Sequence, residues 1–174
     1  MTGEERAGSG FRVGQGVDVH RFSPEADRAL KLGGVEITGD GVRGLEGHSD
    51  ADCATHAIAD ALLGAAGLGD LGRHFADTDA RWAGADSLEL LVIVMERVRS
   101  AGWQVMNADC TIVAEAPRLA PFVGEMGERL SAILRAPVNV KATRAEGMGA
   151  LGRHEGIGAT AVVLLTGSGT GGNT

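Results

Sequence analysis

The chain has 174 residues, a formal net charge of −7 and a composition of 44% apolar, 22% charged and only 3% aromatic residues. Length and apolar content suit one folded domain and exclude wholesale disorder. The acidic balance excludes a generic binder of nucleic acid or anionic membrane, and no apolar run approaches the ~18 residues of a membrane span.

Residues 1–10 read as a disordered lead-in and residues 167–174, GSGTGGNT at their Gly-rich end, as a flexible tail, which leaves residues 11–166 as one domain. Phe11–His20 alternates as a strand. Leu30–Ile37 reads as a hairpin turning at Gly33-Gly34, and a Gly-rich loop follows over Thr38–Gly47. Ser49 or Asp50 is the expected N-cap of a helix that runs to about Ala66. A second helix starts at Asp86 or Ser87 and ends near Ser100, with Leu88, Leu91, Val92, Met95 and Val98 inward. Trp103–Ala114 is β-like, Ala116–Pro121 is a Pro-bounded loop and Pro121–Leu134 is a third helix. Pro137–Thr143 and Ile157–Thr166 are strands joined by the loop Gly147–Gly156. The fold class is α/β, an α+β sandwich with helices on one face of the sheet. Cys53 and Cys110 form no CxxC pair, so they read as buried, reduced thiols of a cytoplasmic protein. The polar N-terminus lacks the apolar stretch of a signal peptide.

Four clusters carry chemistry-bearing residues. Asp18 and His20, at i and i+2 on a strand, point to one face and are placed to meet a single cation. Asp52, His56 and Asp60 follow at i, i+4 and i+8 along the first helix, just after His48 and Ser49. The bland reading is a solvated helix face. The functional one is that His56 joins Asp18 and His20 in a two-His, one-carboxylate set with an open position, with Asp60 supporting a ligand His. Gly69–Asp79 (GDLGRHFADTD) is either a run of turns and caps or a grip for a sugar or phosphate through backbone groups and Asp70. Lys141-Ala142-Thr143-Arg144-Ala145-Glu146 leaves a strand end; its Glu146 suits a hard cation between phosphates, with Lys141, Arg144 and Arg153 as nearby positive charge.

GVDVH, GHSDADCATHAIADALLGAAGLGDLG, FADTD, AEAPRL, NVKAT and GRHEGIG occur in that order along most of residues 12–165. The ordered set resembles the 2-C-methyl-D-erythritol 2,4-cyclodiphosphate synthase family of the non-mevalonate isoprenoid pathway. The resemblance implies a homotrimer of mixed sheets around a central axis, with active sites between subunits. It implies zinc on Asp18, His20 and His56 and a second divalent cation, Mg²⁺ or Mn²⁺, on Glu146. The implied reaction is attack of the 2-phosphate of 4-diphosphocytidyl-2-C-methyl-D-erythritol 2-phosphate on its own β-phosphorus, with loss of CMP. His48 and Ser49 match contacts to erythritol and phosphate, Asp70 and Gly72 match sugar contacts, and Phe75, Asp77 and Asp79 lie in a further substrate loop. Ala114, Pro117, Arg118 and Ala120 match a cytidine pocket, Thr143 its strand end, and Arg153 a position toward the trimer axis.

The sequence also departs from that pattern. The family usually has three Thr before the Glu, and Arg144 stands where the middle one steadies the transition state; with His48 it is the implied catalytic pair. Ala150 replaces a common aromatic, Ala76 a Pro, and Arg118 a Lys. The alternatives are a metal-binding relative with altered turnover and a non-catalytic trimer that binds an isoprenoid diphosphate.

Overall fold

The computed structural model describes residues 10–76 and 78–167. Most of both expected tails, and Asp77, lie outside the described residues. A mixed sheet has the strand order β1-β6-β4-β5, built from β1 (Phe11–Arg21), β4 (Trp103–Val113), β5 (Val138–Thr143) and β6 (Gly156–Gly167). β1 and β4 run antiparallel to β6, and β5 runs parallel to β4. A separate hairpin pairs β2 (Leu30–Leu32) with β3 (Val35–Ile37). Gly33 and Gly34 form its turn at φ of 56° and 73°, left-handed values that a two-residue hairpin loop needs.

Three helices cover one face of the sheet. α1 (Cys53–Ala66) lies against β1 and β6, α3 (Ser87–Ser100) packs on α1, and α4 (Val123–Leu134) packs on β5. Nearly every residue of α1 is buried, because it sits between the sheet, the hairpin and α3. Its Ala-rich sequence makes that possible, since small side chains allow approach from every side. β1 answers with Gly14 and Gly16 on its inner face; a Cβ at Gly14 would stand 1.9 Å from the Ala61 carbonyl oxygen. The contact of strand and helix backbones is what brings β1 and α1 close enough to share a site.

Two expectations need correction. Ser49 and Asp50 do not cap α1. Ala51 turns the chain at φ 59°, and Asp52 is the N-cap, accepting from Thr55 N–H at 3.0 Å. The fully buried Asp52 carboxylate also accepts from Gly33 and Gly34 N–H at 2.8 and 2.7 Å, so it ties the hairpin to the start of α1. In α3 the buried stripe is Leu90, Leu91, Val94, Met95 and Val98, while Val92 is exposed and Leu88 covers Gly34 of the hairpin. The expected Leu91, Met95 and Val98 are inward and Leu88 packs on the core, whereas Val92 faces out and Leu90 and Val94 are buried instead. The short helices α2 (Leu71–His74) and α5 (Gly149–Gly152), with a 3₁₀ turn at Ala80–Trp82, occupy stretches that read as loops in the sequence.

Candidate metal centre

Side chains alternate along β1, so Gly14, Gly16, Asp18 and His20 share the face turned to α1. His56, in the first turn of α1 after its Asp52 cap, meets them there. The Asp18 Oδ2 atom lies 2.9 Å from His20 Nε2 and 2.9 Å from His56 Nδ1. One ligand atom from each of the three residues falls within 4.8 Å of the others, and this is the one such group of three among the described residues.

The far side of each ring is engaged. His20 Nδ1 lies 2.7 Å from the Glu46 carbonyl oxygen, an acceptor, so Nδ1 carries a proton and Nε2 is the nitrogen left for a ligand. His56 Nε2 lies 2.9 Å from Ser87 Oγ and 3.2 Å from Ser49 Oγ. Two imidazole nitrogens and one carboxylate oxygen, with both rings held from behind, fit a divalent metal ion of the nitrogen/oxygen-binding class. The electrostatics agree. Burial alone would raise the Asp18 carboxyl, but its hydrogen bonds to His20 and His56 outweigh burial and hold it well below the usual carboxylate range. Burial would lower His20, but Asp18 outweighs it and raises the imidazole. The carboxylate is thus kept charged in a place that rewards positive charge.

The flanking acids do other work. Asp52 is the cap and hairpin tie described above. Asp60 does not support a ligand His; its Oδ1 accepts from Leu71 N–H at 2.6 Å and fixes the start of α2. Ser87 and the Glu46 carbonyl hold the rings instead. Neither stood out in the sequence, where Ser87 reads only as a helix start and a backbone carbonyl has no side-chain signature.

The other expected residues lie in loops around the sheet ends. His48 Nε2 is 3.3 Å from the Asp79 carbonyl oxygen. Asp70 is exposed and caps α2 through Arg73 N–H at 2.8 Å, and Gly72 is exposed within that helix. Phe75 is buried edge-on against Trp82, ring centres 5.0 Å apart, so it braces the loop. Asp79 caps the 3₁₀ turn and forks onto Arg81. A cleft of about 150 Å³ is lined by Ala114, Pro117, Arg118, Ala120, Thr143 and Arg144, among others. Ala116-Pro117 is a cis peptide, and Ala114 N–H donates to the Thr143 carbonyl at 3.0 Å. Glu146 is exposed in a left-handed turn at φ 53°. Lys141 does not point positive charge at that end; it pairs with Asp109 on the neighbouring strand. Arg153 pairs with Glu155 at 2.7 Å.

The sequence model of the YgbB family matches residues 11–166. The chain belongs to the YgbB family. It is 52% identical to the 2-C-methyl-D-erythritol 2,4-cyclodiphosphate synthase of Geobacillus thermodenitrificans, over 89% of this chain and 96% of that protein. It is 56% identical to the bifunctional enzyme IspD/IspF of Anaeromyxobacter dehalogenans, covering 88% of this chain but only 39% of that longer protein. Among solved structures, a 2C-methyl-D-erythritol-2,4-cyclodiphosphate synthase in a CDP-bound form superposes with a TM-score of 0.78 at 37% identity, over 88% of this chain and 99% of that one.

Within this YgbB-family chain two of the residues that depart from the expected pattern, Arg118 and Arg144, line the cleft. Arg118 and Arg144 are exposed, and neither side chain has a hydrogen-bond or ion-pair partner among the described residues. Ala150 lies in a second depression beside His20, Arg43 and His154. No helix among the described residues is long and apolar enough to cross a membrane.

Proposed function

We propose that this chain converts 4-diphosphocytidyl-2-C-methyl-D-erythritol 2-phosphate to 2-C-methyl-D-erythritol 2,4-cyclodiphosphate with release of CMP, as a phosphorus–oxygen lyase of the non-mevalonate isoprenoid pathway. The observation that carries the reading is the meeting of Asp18, His20 and His56 at one point, in a chain of this family. Named relatives with that activity, and a CDP-bound synthase of the same fold, support it.

In the reaction an oxygen of the 2-phosphate forms a bond to the β-phosphorus, the bond from that phosphorus to the α–β bridging oxygen breaks, and CMP leaves with the electron pair. The nucleophile and the leaving group belong to one molecule, so the protein's task is to fold that molecule into an in-line pose, which in favourable cases is worth up to roughly 7–11 kcal/mol. Asp18, His20 and His56 would hold zinc, and Glu146 a second divalent ion, Mg²⁺ or Mn²⁺. Bound there, the ions supply Lewis acidity toward the diphosphate. The remaining work is done by side chains and backbone. His48 and Ser49 hold the erythritol and its phosphate. Backbone groups of Ala114–Ala120 read the base, and Asp70 and Gly72 contact the sugar. Thr143 and Arg144 donate to the phosphates and hold them in place.

The assembly belongs to the same proposal. Phe11, Val13, Val17 and Val19 on β1 and Val162 on β6 are large apolar residues exposed on the sheet face that carries no helix. An uncovered apolar face of that kind marks an interaction surface. A homotrimer with its sheets around a central axis would cover it and complete each site between neighbours. The chemistry is tested by ³¹P NMR of the purified protein with substrate, zinc and Mg²⁺. The diphosphate and 2-phosphate signals are expected to be replaced by those of CMP and a cyclic diphosphate. A protein that binds zinc yet leaves the substrate unchanged would favour a metal-binding relative with lost turnover.

A further inference from the structure

Behind the metal centre a chain of polar side chains runs from α1 through the start of α3 to the hairpin. His56 Nε2 lies 2.9 Å from Ser87 Oγ. The Ser87 hydroxyl donates to Asp50 Oδ1 in a short hydrogen bond, and Ser87 N–H donates to Asp50 Oδ2 at 3.2 Å. Lys31 Nζ, from β2, lies 3.6 Å from Asp50 Oδ2 and 3.2 Å from Asp86 Oδ2, the N-cap of α3. Ser87 is 1% exposed and His56 9%, so water does not readily replace these contacts.

We propose that Ser87, held by Asp50, is the positioning residue that fixes His56 as a metal ligand through Nδ1. This rests on the reading of Asp18, His20 and His56 as metal ligands. Counting the protons decides which nitrogen of the ring is free. A serine hydroxyl has one, and an ionised carboxylate has none to give. Because the Ser87 proton goes to Asp50, Ser87 Oγ faces His56 with lone pairs only. His56 Nε2 must therefore carry the proton and donate it. To take a metal ion the neutral ring would keep that proton on Nε2 and offer the lone pair of Nδ1, the atom that lies 2.9 Å from Asp18 Oδ2 and, without an ion, donates to it. Ser49 Oγ, which accepts from Ala51 N–H at 3.2 Å, is a second and longer acceptor for the same His56 proton, also at 3.2 Å. Lys31 anchors the far end, so the hairpin, α1 and α3 jointly set one ring.

Without the Ser87 hydroxyl, the Nε2 proton loses its nearer acceptor inside the protein. The ring then gains by giving up the Nε2 proton and keeping the one that Nδ1 donates to Asp18, the proton a metal ion must displace. A merely structural serine would not shift a tautomer. The test uses the purified full chain, wild type and Ser87→Ala, with two readouts that do not depend on turnover. Histidine ¹⁵N shifts of the metal-free and zinc-loaded protein report which ring nitrogens carry protons, and competition with a chromophoric chelator reports zinc affinity. Wild type is expected to keep a proton on His56 Nε2 with and without zinc, and to lose the Nδ1 proton when zinc binds. Ser87→Ala is expected to show the Nδ1–H form and zinc binding weaker by about 10–100-fold, the range for loss of a group that supports a ligand. Ser87→Cys keeps the size with a poorer acceptor and is expected to lie between the two; it carries the test if Ser87→Ala does not fold. A folded variant with the wild-type tautomer and wild-type zinc affinity overturns the role of Ser87. A wild-type protein that binds no zinc overturns the ligand reading beneath it.

Discussion

The backbone of β1 at Gly16 lies so close to α1 that a Cβ there would stand 2.0 Å from the Ala57 carbonyl oxygen. Ala57 is the neighbour of His56, and Gly16 is two residues before Asp18 on the same strand face. The missing side chain therefore sets the distance between strand and helix at which the ligand atoms meet. Gly16→Ala must push α1 outward or bend β1. Overpacking of this kind typically costs about 1–3 kcal/mol, and backbone on both sides puts this site at the upper end. Thermal unfolding should show the loss. Zinc affinity should fall with it, whereas Gly124→Ala, in open space on α4, should leave zinc affinity unchanged and thermal stability the same or higher.

Both cysteines are buried, and no group around them favours the thiolate enough to offset that. Burial raises the Cys110 thiol to about 12 and holds Cys53 well above its ordinary value. The thiolate is the reactive form, so at pH 8 almost none is present. A thiol reagent at that pH should label neither cysteine in the native protein and both after denaturation. Rapid native labelling would contradict the packing of α1 on β4.

Arg144 lines the same cleft as Thr143 with its guanidinium unpaired. Arg offers only donors and is always charged, so it grips a phosphate in ground state and transition state alike. Arg144→Thr is therefore expected to raise KM with similar kcat. A gain in kcat of tenfold, about 1.4 kcal/mol of barrier, would instead show that Arg144 obstructs the in-line pose.

The uncovered sheet face gives a prediction about assembly. Val19 is exposed on the side of β1 opposite Asp18 and His20. Val19→Asp puts a charge on a surface that a trimer would bury, a change too costly without a partner charge. Light scattering at micromolar concentration should give a trimer for wild type and a smaller species for Val19→Asp. A wild-type monomer would contradict the proposed assembly.

The sequence was most legible where one local rule acted alone. The alternation of β1 placed Asp18 and His20 together, and the Gly33-Gly34 turn marked the hairpin. Packing decided the rest. Asp52 looked like part of a helical stripe, but the hairpin's two N–H groups claim its carboxylate, and the helix starts after it. Asp60 looked like a partner for a ligand His, but a residue 11 positions on, Leu71, reaches it first. Ser87 lies 31 residues from His56, and no spacing rule connects them. The ordered family motifs supplied the substrate and the cleft residues; composition and periodicity alone did not reach them.

The proposed cyclisation depends on a metal held by Asp18, His20 and His56. The most direct measurement titrates zinc into chelator-treated protein in the presence of substrate and Mg²⁺, following CMP release for wild type and His56→Ala. CMP release by wild type is expected to rise with zinc and to saturate at one ion per chain, with the cyclic diphosphate formed in equal amount. His56→Ala, folded by circular dichroism, should retain little zinc and release little CMP. Undiminished CMP release by chelated wild type, or by His56→Ala, would contradict it.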